Sequence, residues 1–144
     1  MPRTAIRTPG LARPGATGQT PAVDHRQLLR TIAAGRIVAG TTLLLLPGTA
    51  AGQWIGPSAR TPGAKVMTRA MGVRDLAIGA GTMSALANGE PARHWALAGA
   101  ASDLIDGLAT VLAIRHIGAR RALPLLAVAA TAGIASYVAA DHLD

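Results

Sequence analysis

The sequence predicts an all-α protein, a four-helix transmembrane bundle preceded by a disordered N-terminal arm. Four apolar segments follow one another, each of about twenty residues, the length that an α-helix needs to cross a hydrocarbon layer of ~30 Å. Ala, Gly, Leu and Ile dominate and Phe is absent, a composition typical of closely packed membrane helices. Charged residues lie inside three of the segments, and because a lone charge in hydrocarbon is costly, the helices are expected to pair these charges with one another.

The order of the chain gives one domain, residues 25–140, after the arm. The arm, residues 1–24, is rich in Pro, Gly, Thr and Arg and contains no apolar run, which is typical of a disordered cationic segment. Asp24 is placed to cap the helix that follows. The first span is predicted at residues 28–46, and Pro47 marks its end.

Three further spans complete the predicted bundle. They lie at residues 66–88, 93–114 and 122–140, and residues 141–144 form an acidic tail. The connecting segments are predicted as loops or turns at residues 47–65, 88–94 and 115–121. The second span is the most polar of the four.

Aromatic and basic residues near the span ends bear on the orientation. Trp54 falls at one membrane face and Trp95 and Tyr137 at the other, so each interface has an aromatic anchor. The face with Trp54 also holds most of the nearby basic residues, namely Arg60, Lys65, Arg69, Arg115, Arg120 and Arg121. If only the basic residues near the membrane are counted, this face has the excess and is predicted to be cytoplasmic. If the arginines of the arm are counted as well, the two faces no longer differ.

The charge and the cysteine content of the chain limit the kinds of partner, cofactor and metal that it can bind. The chain carries a formal net charge of +7, and its basic residues mostly flank the apolar segments or lie in the arm. That distribution suits anionic lipid headgroups, so the lipid bilayer is the expected partner and no nucleic acid is expected. Because the chain has no cysteine, neither a disulfide nor a thiolate metal site is possible. The sequence predicts no cofactor and no metal.

Five charged residues lie at similar depth within three of the predicted spans. They are Arg36 in the first span, Arg74 and Asp75 in the second, and Asp103 and Asp106 in the third. At a rise of ~1.5 Å per residue, Arg36, Asp75 and Asp103 fall within a few residues of mid-span. We interpret the five residues as one buried polar cluster, a candidate binding or proton-linked site, and assign no catalytic residue.

Helical spacing places the acids on the small-residue faces of their helices. Asp103 shares a face with Gly99, and Asp75 shares one with Gly79. Because small residues allow close helix packing, these carboxylates are expected to point toward other helices rather than toward lipid. The expected ion pairs are Arg36–Asp103 and either Arg74–Asp75 or Arg74–Asp106.

The cluster has three interpretations. It can be structural, with ion pairs that fix the register of the bundle. It can be a proton-linked or polar binding site, because neighbouring carboxylates do not ionise independently and Asp103 or Asp106 is then the proton carrier. It can also be catalytic, although the sequence offers no cysteine, Ser-His pair or metal cluster to support this.

Part of the third span resembles an enzyme motif. Asp103-x-x-Asp106-Gly107 is similar to the opening of the CDP-alcohol phosphatidyltransferase motif, in which two aspartates and a glycine begin a metal and nucleotide site. Thr110 and Val111 stand where that motif requires Ala-Arg, so the remainder departs from it. A motif without its context is a poor guide to function.

A wider resemblance covers residues 28–140. The motifs that carry it are Arg36-x-x-x-Gly40, Pro47-Gly48, Gly72-Val73-Arg74-Asp75-x-x-x-Gly79, and Trp95 followed by Ser102-Asp103-x-x-Asp106. With these motifs the chain resembles uncharacterised small bacterial membrane proteins of the actinobacterial type, a domain-of-unknown-function family. Many of those relatives have Gly-x-Arg-Glu where this chain has Gly72-Val73-Arg74-Asp75. The resemblance implies a four-helix membrane bundle and no established activity.

These observations favour a multi-pass protein of the bacterial inner membrane, with a non-enzymatic role as an accessory or scaffold subunit. One alternative is a proton-coupled transporter of a small solute that uses Asp103 or Asp106. Another is a membrane enzyme on a lipid or polyprenyl substrate, with an aspartate as general acid. A small-residue face formed by Ala129, Gly133 and Ser136 is available for association with a second copy of the chain or for packing within the bundle. A membrane protein partner is a further expectation.

Overall fold

The computed structural model describes residues 24–143, and this part of the chain is helical throughout, with no strand. The helices are α1 (His25–Leu45), α2 (Pro47–Ile55), a 3₁₀ helix (Gly56–Arg60), α3 (Pro62–Asn88), α4 (Arg93–Ile117) and α5 (Ala119–Asp141). The all-α prediction is therefore confirmed. The predicted disordered arm, apart from Asp24, and the last residue of the predicted acidic tail, Asp144, lie outside the described residues.

Three of the described helices, α1, α4 and α5, are long and apolar enough to cross a membrane. Helix α3 is longer, at 27 residues, but it does not belong to this group. Its charged residues, Lys65, Arg69, Arg74 and Asp75, make it too polar. The structure thus provides three candidate spanning helices, and the fourth span stays a prediction.

Capping residues explain where several helices begin and end. The Asp24 side chain accepts hydrogen bonds from the backbone N–H groups of the first turn of α1, as predicted. Thr61 caps α3 in the same way, with Pro62 as the first helical residue. Gly89 ends α3 with a φ of +70°, a left-handed conformation that glycine adopts without strain.

Two predicted loops are wrong. The segment 47–65 was expected to be irregular, but it forms α2, the 3₁₀ helix and the first turn of α3. Pro47 is the first residue of α2, a position where its missing N–H costs nothing, so proline starts a helix here as well as ending one. The segment 115–121 is also helical except at Gly118, whose φ of +81° separates α4 from α5.

The long helices pack as two antiparallel pairs, α1 with α3 and α4 with α5. The pairs join through contacts between α3 and α4 and between α1 and α5. At one end of the bundle the rings of His25 and His142 stack, with centroids 4.2 Å apart, and so connect the start of α1 to the end of α5.

Glycines bring α1 and α3 into backbone contact. A Cβ atom on Gly40 would lie 2.6 Å from the carbonyl oxygen of Gly72, and one on Gly79 would lie 2.8 Å from the carbonyl oxygen of Ala33. These distances are shorter than any real Cβ contact, so only glycine permits this approach. The backbones of the two helices therefore touch at two points about two turns apart.

Large apolar side chains are mostly on the outside of the bundle. Val38, Leu104 and Leu112 each expose more than half of their surface, whereas the buried core consists mainly of alanine with Leu29 and Leu86. A water-soluble protein of this size rarely exposes so much apolar surface. The distribution is the one expected of helices that face lipid outward and pack through small residues inward.

The α1–α3 contact gives a stability prediction. We expect Gly40→Ala to lower the free energy of unfolding by about 1–3 kcal/mol, because the new methyl group collides with backbone atoms that have no room to move. Detergent-solubilised protein titrated with SDS and followed by circular dichroism measures the change.

Gly35→Ala is the matched control on the same helix. No atom lies within 4 Å of a Cβ at this position, so the substitution should be neutral or should stabilise α1 by up to about 1 kcal/mol. Equal effects of the two substitutions would contradict the proposed backbone contact.

Candidate functional site

The five charged residues singled out in the sequence lie close together in the structure. Arg36 comes from α1, Arg74 and Asp75 from α3, and Asp103 and Asp106 from α4. Four ion pairs connect them into one network. Each of the three helices therefore contributes at least one charge to the same region of the bundle.

Arg36 forms the inner half of the network. Its side chain is 9% exposed, and Nη2 donates hydrogen bonds to Oδ2 of Asp103 at 2.5 Å and to the carbonyl oxygen of Gly99 at 2.9 Å. Nη1 lies 3.5 Å from Oδ1 of Asp75. One guanidinium thus contacts carboxylates on two different helices, and the sequence predicted the first of these pairs.

Arg74 forms the outer half. Its Nη1 and Nη2 donate to the two carboxylate oxygens of Asp106, at 3.0 Å and 2.6 Å, in a bidentate pair. Its Nη2 also donates to Oδ1 of the neighbouring Asp75 at 3.1 Å. The sequence left the partner of Arg74 open between Asp75 and Asp106, and the structure shows that it contacts both.

Asp75 joins the two halves. Its Oδ1 faces both guanidinium groups, so the order of contacts is Asp103, Arg36, Asp75, Arg74, Asp106. With every group ionised the network carries three negative and two positive charges, a net charge of −1. Because the surrounding side chains are apolar, the attraction between these opposite charges is stronger than it would be in water.

The two halves differ in exposure. Arg36, Asp75 and Asp103 are 9%, 14% and 12% exposed, whereas Arg74 and Asp106 are 31% and 21% exposed. The inner half is therefore the part that depends most on its partners, because buried charges have no water to replace a lost contact.

Two glycines make room for the inner half. A Cβ atom on Gly99 would lie 3.1 Å from Nη2 of Arg36, and one on Gly133 would lie 3.2 Å from Cβ of Asp103. Gly133 belongs to α5, so this helix supports the network by close packing although it carries none of the five charges. The sequence placed Gly133 on a small-residue face but left open whether that face packs within the bundle or against a second copy of the chain.

An apolar groove of about 750 Å³ runs between α4 and α5. Its walls are almost entirely aliphatic, with Asp103 as the one acidic residue and Tyr137 as the one aromatic residue among the lining groups. The Asp103 side chain thus contacts Arg36 on one side and borders the groove on the other. Asp103 is thus the residue of the network that lines this groove.

A metal-binding cluster and a Ser-His pair are two arrangements that would point to catalysis. The described residues include no group of three or more His, Asp or Glu residues able to hold a metal ion. Ser102, next to Asp103, has a buried hydroxyl with no hydrogen-bond partner, and no histidine lies beside it. The carboxylates of the network already accept hydrogen bonds from arginine.

Comparison of the chain with protein-family models, with curated proteins and with solved structures gives no match. The resemblance noted for residues 28–140 therefore stays a prediction. So does a binding or proton-linked role for the five charged residues, since the observed contacts describe only their pairing.

The burial of Arg36 gives a second stability prediction. Arg36→Leu leaves Asp103 without its guanidinium partner and Asp75 with one fewer, and we expect a loss of about 3–5 kcal/mol in the free energy of unfolding. The same detergent titration measures it. Arg30→Leu, at an exposed position on α1, is the matched control and should change stability by less than about 1 kcal/mol.

The double variant Arg36→Leu with Asp103→Leu separates charge from packing. If the cost of Arg36→Leu comes from an unpaired carboxylate, removing that carboxylate as well should recover a substantial part of the stability. A double variant that is less stable than Arg36→Leu would show that the ion pair is not the source of the loss.

Proposed function

We propose that this protein is a four-span inner-membrane component of bacteria whose role is that of an accessory or scaffold subunit. The observation that carries the proposal is the ion-pair network, in which every carboxylate at the centre of the bundle is paired with an arginine from the same or another helix. Such an arrangement holds helices in a fixed register.

The network also supports α3 as the fourth span. At 27 residues α3 is long enough to cross a ~30 Å hydrocarbon layer. Its two central charges, Arg74 and Asp75, contact each other and also contact Asp106 and Arg36 on the neighbouring helices. Pairing of this kind lowers the cost of placing a polar helix in lipid.

A proton-coupled transporter is the second candidate, and two observations favour it. The network has one more carboxylate than it has guanidinium groups, so one acid is available to exchange a proton. Asp103 is the acid that borders the groove between α4 and α5. The third possibility, an enzyme acting on a lipid or polyprenyl substrate, has no comparable observation in its favour.

Asp103→Asn distinguishes the two candidates. In the scaffold role, the substitution weakens the bond to Arg36 and should lower the free energy of unfolding by about 1.5–3 kcal/mol, and vesicles containing the wild-type protein should conduct protons no faster than empty vesicles. Proton entry is followed with a pH-sensitive dye inside vesicles under a potassium diffusion potential.

Asp141→Asn is the matched control, because Asp141 is an exposed acid at the end of α5, outside the network. The scaffold proposal would be overturned in favour of the transporter by the following result. Wild-type vesicles show a proton flux, Asp103→Asn abolishes this flux without lowering the stability of the bundle, and Asp141→Asn leaves the flux unchanged.

A further inference from the structure

A second cavity lies at the end of the bundle where α1 stops and α5 begins. It has a volume of about 790 Å³ and is bounded by α2, the 3₁₀ helix and the first turns of α3 and α5. It shares no residue with the central network, which lies within α1, α3 and α4. The cavity therefore requires a separate explanation.

Four basic side chains line this cavity. They are Arg60 at the end of the 3₁₀ helix, Lys65 and Arg69 on α3, and Arg121 on α5. The lining includes no acidic residue, and within residues 24–143 none of the four side chains forms a salt bridge. Four like charges around one cavity repel one another, so the arrangement favours an anion inside it.

Two glycines of the cavity wall have basic side chains close to their backbone. A Cβ atom on Gly56 would lie 3.3 Å from the guanidinium carbon of Arg121, and one on Gly48 would lie 3.4 Å from Cε of Lys65. Arg121 thus extends from α5 across to the 3₁₀ helix, and Lys65 extends from α3 to the start of α2. Basic side chains from two different helices thus reach the same cavity.

The start of α2 adds hydrogen-bond donors to the same cavity. Gly48 and Thr49 are the second and third residues of α2, and both line the cavity. Backbone N–H groups at these positions have no partner within their own helix, and no side chain caps α2. N–H groups at the start of a helix attract phosphate oxygens, and so do the four basic side chains.

We propose that this cavity binds a phosphate-bearing anion, namely the headgroup of an anionic phospholipid. The basic side chains suit phosphate oxygens, while Leu46 and Pro47 give the cavity an apolar wall. The cavity also lies at the end of α1, where Leu45 and Leu46 are 68% and 57% exposed. The phosphate of the headgroup thus lies among basic side chains, and the acyl chain lies against exposed leucines. The proposal is independent of the scaffold role, because it concerns different residues.

Native mass spectrometry of the full chain in detergent tests the proposal. Phosphatidylglycerol should bind at a defined stoichiometry and phosphatidylcholine of the same chain length should bind much less. Arg121→Gln and Lys65→Gln should each weaken phosphatidylglycerol binding by about fivefold, because each removes one cation near the headgroup. A thermal unfolding curve for each variant shows that it is folded.

Arg120→Gln is the matched control, since Arg120 is an exposed neighbour of Arg121 on α5 but does not line the cavity. It should leave lipid binding within twofold of wild type. Equal losses in Arg120→Gln and Arg121→Gln, or equal binding of phosphatidylcholine and phosphatidylglycerol, would overturn the proposal.

Inorganic phosphate and glycerol 3-phosphate, added without lipid, separate the two possible sources of the anion. We expect neither to bind measurably at millimolar concentration, because neither has an acyl chain to contact the apolar wall. If either one binds, with the same dependence on Arg121, the cavity is a phosphate site whose ligand is soluble, and assignment to a lipid headgroup is overturned.

Discussion

A guanidinium group among apolar helices needs partners at its own depth, and Arg36 meets two carboxylates there. This requirement constrains three helices at once, since Asp75 and Asp103 belong to α3 and α4. A shift of one helix along its axis by a single residue, about 1.5 Å, would stretch contacts that are already at hydrogen-bond length. The pairing of these charges therefore fixes the relative heights of the helices.

The glycine contacts between α1 and α3 serve the same geometry. Arg36 lies between Ala33 and Gly40 on α1, and Asp75 lies between their partners Gly79 and Gly72 on α3. The two backbone contacts thus flank the point where the charges meet. Close approach of the helices and pairing of the charges support each other, because a wider separation would move Arg36 away from Asp75.

The sequence predicted the charged cluster because two patterns are local to each helix. Long apolar segments give the depth of each charge, and helical spacing gives the face on which it lies. The contact of Asp75 with both arginines was beyond such reasoning, because it depends on how far one helix is shifted against another. The same holds for Gly133, whose contact with Asp103 arises only when α5 packs on α4.

The helical structure of residues 47–65, which were predicted as a loop, has a physical cause. Residues 47–65 are rich in glycine and proline, which usually indicates a loop, but proline at the first position of a helix is favourable and the alanines that follow support helix formation. Helix α3 was also predicted to span a membrane, and this stays a prediction, because its charged residues keep it outside the group of candidate spans. Its place in the bundle depends on its neighbours rather than on its own apolar character.

In the proposed four-span arrangement, that dependence has a consequence for the insertion of α3 into the membrane. On insertion scales Arg74 and Asp75 each oppose entry of α3 into the membrane by roughly 2.5–3.5 kcal/mol. The carboxylate that binds Arg74 through two hydrogen bonds, Asp106, leaves the ribosome only after α3 is complete. In the proposed four-span arrangement, α3 therefore gains this partner, and the stability that it brings in lipid, only when α4 follows it into the membrane.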